Sequence, residues 1–286
     1  MKEEHFTKTQ TQNKFILNIV IALHPEAKPL IEYYHLRKIT HIDMPFTIYV
    51  NKEKTIYLII SGIGKIKIAT ATTFLYMWTG SKSHSTFLNI GLAGSKQFAL
   101  EEGVLIHKIT EMSTHKNGYP FVTPIKIKNQ ATLMTYDTPQ KDYPMTGLMD
   151  MEGSAFFQTA THFVSVEQVQ LFKVVSDADE KSLLAINHDQ ASQWINKNLK
   201  QIALLADYLI SLSSQENQIN MDDDLLEKFK TQWHFTYSQL LQLKKNLRHW
   251  RLHNRNLDVL DYCKHEKTAA HVNFKLVKIL NENCVY

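Results

Sequence analysis

Three acidic residues, Glu26, Glu152 and Asp177, stand just beyond segments that the sequence predicts to be strands or strand ends. A carboxyl group with a raised pKa can donate a proton to a leaving group. An ionised carboxylate can instead accept a proton from water or a hydrogen bond from a hydroxyl. These residue types therefore suit acid–base chemistry on a polar small molecule.

Two glycine-rich segments, 61–65 (SGIGK) and 91–94 (GLAG), directly follow predicted strands. The first precedes a predicted helix, and the N-terminus of a helix can bind an anion or a hydroxyl through its N–H groups. The alternative is that the first segment is only a tight turn. The candidate ligand contacts in the two segments are Ser61, Gly62, Ala93 and Gly94.

The elements that must position these residues alternate along the chain between strands and helices. Apolar runs that indicate buried strands occupy 15–23, 56–60, 87–90, 104–109 and 168–175. Helices are predicted between them, and one long helix is predicted over 189–212. This order predicts an α/β domain with a parallel or mixed sheet. Ligands bind outside the carboxyl ends of the strands in such a sheet, where the candidate residues lie.

Four segments, in order and at about the right spacing, resemble bacterial methylthioadenosine/S-adenosylhomocysteine nucleosidases of the purine nucleoside phosphorylase and nucleosidase superfamily. They are 61–65 (SGIGK), 91–94 (GLAG), 150–154 (DMEGS) and 174–177 (VVSD). The resemblance covers roughly 15–212. It implies a three-layer α/β sandwich of the nucleoside-phosphorylase type with a central mixed sheet. It also implies a homodimer that uses no cofactor.

The resemblance also implies a role for each candidate residue. Asp177, positioned by Ser176, would protonate the leaving purine at N7. Glu152 would accept hydrogen bonds from the ribose hydroxyls, and Met151 would pack on the sugar. Glu26 would activate the attacking water. The implied reaction is hydrolysis of the N-glycosidic bond of a purine-type nucleoside, and contacts that strengthen in the transition state contribute most to such a reaction.

The choice of water over phosphate depends on arginine content. Arginine is the natural clamp for a phosphate dianion, and the predicted domain contains one arginine, Arg37. The other three lie in the C-terminal part of the chain. We therefore expect hydrolysis. Two alternatives remain: a phosphate-dependent phosphorylase, and a nucleoside-binding or regulatory protein without activity.

Each carboxylate also has a structural alternative. Glu26 could be a first-turn residue favoured by the helix dipole, Asp177 could cap a helix, and Glu152 could be a surface residue at a helix start. Two departures leave the substrate open: Leu92 replaces a common serine, and 135–143 (TYDTPQKDY) matches the family's base pocket poorly. Methylthioadenosine, S-adenosylhomocysteine, inosine-like and futalosine-like nucleosides all remain candidates.

Composition limits the remaining function classes. The formal net charge is only +4, so binding of nucleic acid over the whole surface is not indicated. Two cysteines, near the end of the chain, form no disulfide framework. The fourteen histidines are scattered, and we expect no metal site. Neither a membrane span nor a signal peptide is predicted, so we expect a cytoplasmic protein.

The sequence predicts a division of the chain into a leader, a main domain and a tail: 1–14, 15–214 and 222–286. The leader is expected to be disordered, and the polar stretch 213–224 is expected to be a linker. Leu243, Leu247 and Trp250 recur at helical spacing and predict a helical tail. Its basic residues could contact nucleic acid, but an amphipathic helix with solvated charges is the favoured interpretation.

Overall fold

A computed structural model describes most of the chain, and the predicted leader lies outside the described residues. The described ranges are 15–40, 44–79, 85–121, 123, 125–179, 187–219, 222–253 and 258–282. The chain forms two compact units, Met1–Ser214 and Gln215–Tyr286. Within the described ranges, no helix is long and apolar enough to cross a membrane.

The first unit is built on a mixed sheet. Its strands are β1 (Ile16–Ile21), β2 (Arg37–Lys38), β3 (Thr47–Val50), β4 (Ile56–Ile60), β5 (Ser85–Gly94), β6 (Gly103–Glu111), β7 (Asn117–Gly118), β8 (Gln130–Thr135), β9 (Leu148–Asp150) and β10 (Val169–Asp177). The order is β2-β3-β4-β1-β5-β10-β6-β8-β9, and β9 pairs back with β5, so this part of the sheet closes on itself. The strand pairs β4–β1, β1–β5 and β5–β10 are parallel, so their carboxyl ends meet at one edge.

Helices of the first unit cover both faces of this sheet, and the described residues of the second unit also form helices. The helices are α1 (His24–Tyr33), α2 (Lys65–Thr79), α3 (Gly153–Ala160), α4 (His188–Lys197), α5 (Leu199–Ile219), α6 (Asp222–Gln232), α7 (Tyr237–His253), α8 (Val259–Cys263) and α9 (Ala269–Glu282). One apolar core joins the sheet to α2 and α3. A second core joins the opposite face to α1, α4 and α5. The predicted three-layer α/β fold with a mixed sheet is therefore confirmed.

Two local predictions were wrong, and one segment has a local structure that was not predicted. The long helix over 189–212 is two helices that break at Asn198, whose side chain donates to the carbonyls of Glu101 and Trp194 at 2.9 Å. The boundary between the two units lies inside the predicted linker, but the described residues of this segment are helical as far as Ile219 and again from Asp222, since the segment contains no glycine or proline to stop a helix. The glycine segment 91–94 does not follow the predicted strand 87–90 but forms the end of the longer strand β5.

The second unit has an apolar core of its own, formed by its helices. Leu243, Leu247 and Trp250 of α7 are buried in it, as their helical spacing predicts. Trp250 packs against Tyr262 with ring centroids 5.2 Å apart. This tryptophan is therefore not available to stack on a nucleic-acid base.

Candidate active site

A cavity of about 460 Å³ opens at the carboxyl edge of the sheet, which is the position predicted for the ligand. Its size is in the range of small-molecule sites. The ends of β5, β9 and β10 contribute to its wall, together with the starts of α1 and α4. Seven of the nine predicted site residues line it: Glu26, Ala93, Gly94, Met151, Glu152, Ser176 and Asp177.

The other two predicted contacts, Ser61 and Gly62, are not among the lining residues. The Ser61 hydroxyl donates to the carbonyl of Gly62 at 2.8 Å, inside its own turn. Gly62 has a φ of +82°, which favours glycine. The segment reaches the cavity through Ile63, and the Gly64 N–H donates to Glu152 Oε1 at 2.6 Å. Within the described residues, its polar contribution is therefore to hold Glu152.

Glu26 lies in the first turn of α1 and is only 4% exposed. Its Oε2 accepts from the Leu23 N–H and its Oε1 from the Leu92 N–H, each at 2.9 Å. Burial raises the pKa of Glu26, although these two N–H donors and Lys173 act in the opposite direction. The side chain therefore supports the helix start and also presents a carboxylate of increased basicity to the cavity.

Glu152 stands at the N-cap of α3 and is buried, so it is not the surface residue that the structural alternative described. Burial and the nearby charge of Asp150 raise the pKa of Glu152 to about 7, against the opposing effect of Lys173. Its neighbour Met151 also lines the cavity. A carboxylate in this position can accept hydrogen bonds from the hydroxyl groups of a sugar.

Asp177 ends β10 at the edge of the cavity and is 2% exposed. Its two carboxylate oxygens accept from separate hydroxyls, Oδ1 from Ser176 and Oδ2 from Tyr143. Gly94 allows this arrangement, because a Cβ at that position would lie 2.7 Å from Asp177 Oδ2 and would collide with the Tyr143 ring. The tyrosine therefore lies against the carboxylate that is predicted to act as the acid.

Lys173 and Asp150 belong to the same cluster but were not predicted to have a role. Lys173 Nζ lies 2.9 Å from Asp150 Oδ2, and both side chains are almost fully buried. A lysine inside the apolar run 168–175 (QVQLFKVV) was a usable signal, because a buried cation needs a partner. Asp150 carried no such signal, because its burial depends on the sheet. Tyr143 lies in the segment suspected of forming the base pocket, and that segment also lines the cavity.

No protein-family model matches this chain, and no curated protein matches it. Solved structures do. Arabidopsis thaliana 5'-methylthioadenosine nucleosidase in apo form has a TM-score of 0.56 at 18% identity, over 68% of this chain and 97% of that chain. An MTA/SAH nucleosidase has a TM-score of 0.56 at 17% identity, over 68% and 97%. Futalosine hydrolase of Helicobacter pylori strain 26695 has 0.51 at 17%, over 66% and 97%. At these identities the likeness shows the fold, and the fold is that of the nucleosidases.

Proposed function

We propose that this chain is an enzyme that hydrolyses the N-glycosidic bond of a purine-type nucleoside. The observation that carries the proposal is that Glu26, Glu152 and Asp177 all line one cavity. These carboxylates come from α1, from the start of α3 and from the end of β10, which are far apart in sequence. Their convergence supports separate roles toward water, sugar and base.

The proposed reaction balances without a cofactor. Water attacks the anomeric carbon of the ribose, and the Glu26 carboxylate takes a proton from it. The electrons of the carbon–nitrogen bond pass to the purine, which takes a proton at N7 from the neutral carboxylic acid of Asp177. This leaves Asp177 as a carboxylate, which accepts hydrogen bonds from the Ser176 and Tyr143 hydroxyls. Glu152 accepts hydrogen bonds from the ribose hydroxyls, which strengthen as positive charge develops on the sugar. The products are the free base and a ribose with a hydroxyl at the anomeric carbon.

Water is favoured over phosphate as the nucleophile because arginine is absent from the described residues that line the cavity. Arg37 lies on β2, where it is exposed. Lys173 is paired with Asp150, and Lys65 is paired with Glu111 and Asp137. A phosphate dianion would have to be held in a cavity that presents carboxylates, which repel it.

The substrate is proposed as a class. The solved neighbours are named as nucleosidases of methylthioadenosine or S-adenosylhomocysteine and as a futalosine hydrolase. The cavity, about 460 Å³, has room for a nucleoside. Methylthioadenosine, S-adenosylhomocysteine, inosine and futalosine therefore form the first panel to test.

We also propose that the chain acts as a homodimer in the cytoplasm. The outer face of α2 supports the dimer, because Ile66 and Met77 are 82% and 64% exposed and Thr70 and Thr73 lie between them, also exposed. An exposed apolar face of this kind is typical of an interface. The free, buried thiol of Cys263 supports a reducing compartment. The molar mass of the wild type and of Ile66→Glu, measured by light scattering, tests the proposed dimer. We expect a dimer for the wild type and a monomer for the variant.

The deciding experiment is release of free base from the nucleoside panel, measured by chromatography with and without phosphate. The proposal predicts equal release in both conditions. It also predicts loss of release in Asp177→Asn and Glu26→Gln, and full activity in Glu102→Gln, a charge-matched control outside the cavity lining. Release only with phosphate would make the chain a phosphorylase. Binding without release from any member would favour a nucleoside-binding protein, for which the Tyr143 hydroxyl already bound to Asp177 is the supporting observation.

A further inference from the structure

Asp150 and Lys173 form a buried ion pair beside the cavity. The Nζ–Oδ2 distance is 2.9 Å, and the Asp150 and Lys173 side chains are 1% and 2% exposed. Asp150 is itself held firmly, because it accepts from the Thr135 hydroxyl at 2.7 Å and from the Gly153 N–H at 2.8 Å. The Asp150 carboxylate is therefore held in place by its own contacts, and the Lys173 ammonium pairs with it.

Lys173 also approaches Glu26. Gly91 on β5 is the strand partner of Lys173. A Cβ at Gly91 would lie 3.4 Å from Glu26 Oε1 and 3.5 Å from Lys173 Nζ. Because glycine has no side chain, the carboxylate and the ammonium both face this open point. The Lys173 ammonium and the Glu26 carboxylate therefore border the same small space, with no side chain from Gly91 between them.

Three carboxylates surround this one ammonium. They come from different elements: Glu26 from α1, Asp150 from β9 and Glu152 from the start of α3, while Lys173 comes from β10. Among the described residues, Lys173 is the cation whose charge lowers the pKa of both Glu26 and Glu152. The remaining donors to the glutamates are the backbone N–H groups of residues 23, 64, 92 and 151. A buried ammonium without an anionic partner is costly, and the partner of Lys173 in this cluster is Asp150.

We propose that Asp150 is a positioning residue of this site: by holding the Lys173 ammonium, it keeps that cation from pairing directly with Glu26. The Glu26 carboxylate then stays available for the proton of water, and Glu152 stays available for the sugar hydroxyls. This inference rests on the proposed function for its catalytic meaning, and its structural part stands on the ion pair.

The charges of the cluster support this assignment. Burial raises the pKa of Glu26 and of Glu152, the charge of Asp150 raises each pKa further, and Lys173 lowers each one. Asp150→Asn removes the negative charge of Asp150 and leaves the Lys173 ammonium without its carboxylate partner. Both changes act in the same direction and lower the pKa of Glu26, which weakens it as a base.

The kinetic test is the pH dependence of kcat/KM for the wild type, Asp150→Asn, Lys173→Met and the double variant. In Asp150→Asn we expect the acidic limb of the profile to move down by roughly one pH unit and kcat to fall roughly tenfold. In the Lys173→Met background, the same substitution moves the limb by a clearly smaller amount, because it removes only the charge of Asp150 and no cation remains to be released. Glu102→Gln, which also removes one negative charge, leaves the wild-type limb unchanged.

An equal shift in both backgrounds, or no shift in either, would overturn the inference, because Asp150 would not be acting through Lys173. If Asp150→Asn alone does not fold, the comparison of the wild type with the double variant still decides. The double variant has no unpaired buried charge and is expected to fold. The proposal requires its acidic limb to lie close to that of the wild type, because the held ion pair acts on Glu26 with two opposing charges, and a clear upward shift would mean that Lys173 already pairs with Glu26.

A second readout separates this inference from the proposed function, because it needs no turnover. Carbon-13 NMR of protein labelled at the glutamate carboxyl groups follows the titration of Glu26, which Glu26→Gln identifies. Asp150→Asn must lower the pKa of Glu26 even if the wild type cleaves no nucleoside, in which case only the proposed function fails. If the wild type cleaves a nucleoside and this pKa does not fall, only the role of Asp150 fails.

Discussion

Replacing Glu152 with glutamine is expected to stabilise the fold at high pH while it damages the site. In the folded protein, burial and the charge of Asp150 raise the pKa of Glu152 from its usual 4.5 to about 7. A carboxyl group with a raised pKa binds its proton more tightly in the folded state than in the unfolded state. Stability is therefore lost as the pH rises from 4.5 to about 7, and the full cost is present above that range.

The size of the effect follows from the two pKa values. Each pH unit between 4.5 and about 7 costs about 1.36 kcal/mol, so ionised Glu152 destabilises the fold by about 3 kcal/mol at high pH. Glutamine retains an oxygen for the Gly64 N–H but loses the 3.3 Å hydrogen bond from the Met151 N–H. The net gain in Glu152→Gln is then about 2 to 3 kcal/mol above pH 8, and less than about 1 kcal/mol near pH 5.

Urea unfolding of the wild type and of Glu152→Gln at these two pH values measures the difference. Unfolding is followed by tryptophan fluorescence. Trp78 and Trp194 report on the first unit, and Trp233 and Trp250 report on the second unit. Glu32→Gln, at an exposed position on α1, should change stability by less than about 0.5 kcal/mol at both pH values. If Glu152→Gln had the same effect at both pH values, or lowered stability at high pH, ionised Glu152 would not be a cost to the fold.

Two other substitutions test neighbouring contacts. Gly94→Ala places a Cβ 2.7 Å from Asp177 Oδ2 and against the Tyr143 ring. Steady-state kinetics should therefore show a loss of roughly a hundredfold in kcat/KM. Unchanged activity would mean that the Tyr143–Asp177 contact is dispensable. At Glu111, burial opposes ionisation, but hydrogen bonds from Lys65, Ser154 and Ser113 lower the pKa to about 2. Its contribution to stability is therefore present above pH 4.5 and is lost as the pH falls toward 2. Thermal melts should show Glu111→Gln destabilised by roughly 2 kcal/mol at neutral pH and progressively less in acid, and a constant difference would count against the ion pair with Lys65.

Much of the fold could be predicted from the sequence because its signals are local. The run 56–60 (IYLII) is wholly β-branched, aromatic or leucine, and the strand has these same bounds, Ile56–Ile60. The break at Asn198 was missed for the opposite reason. The Asn198 side chain donates a hydrogen bond to the backbone carbonyl of Glu101, which lies far away in the sequence, just before β6. Only the folded chain brings these two groups together.

By itself, the sequence determined which carboxylates follow strand ends, because the alternation of strands and helices predicts where those ends meet. The tertiary structure decided which residues surround each carboxylate. The closing of the sheet through β9 brings Asp150 to Lys173, and the segment after β8 brings Tyr143 to Asp177. These contacts join residues 23 and 34 positions apart, and their strength depends on burial. Burial is a property of the packed sheet and its helices, and local sequence patterns do not contain it.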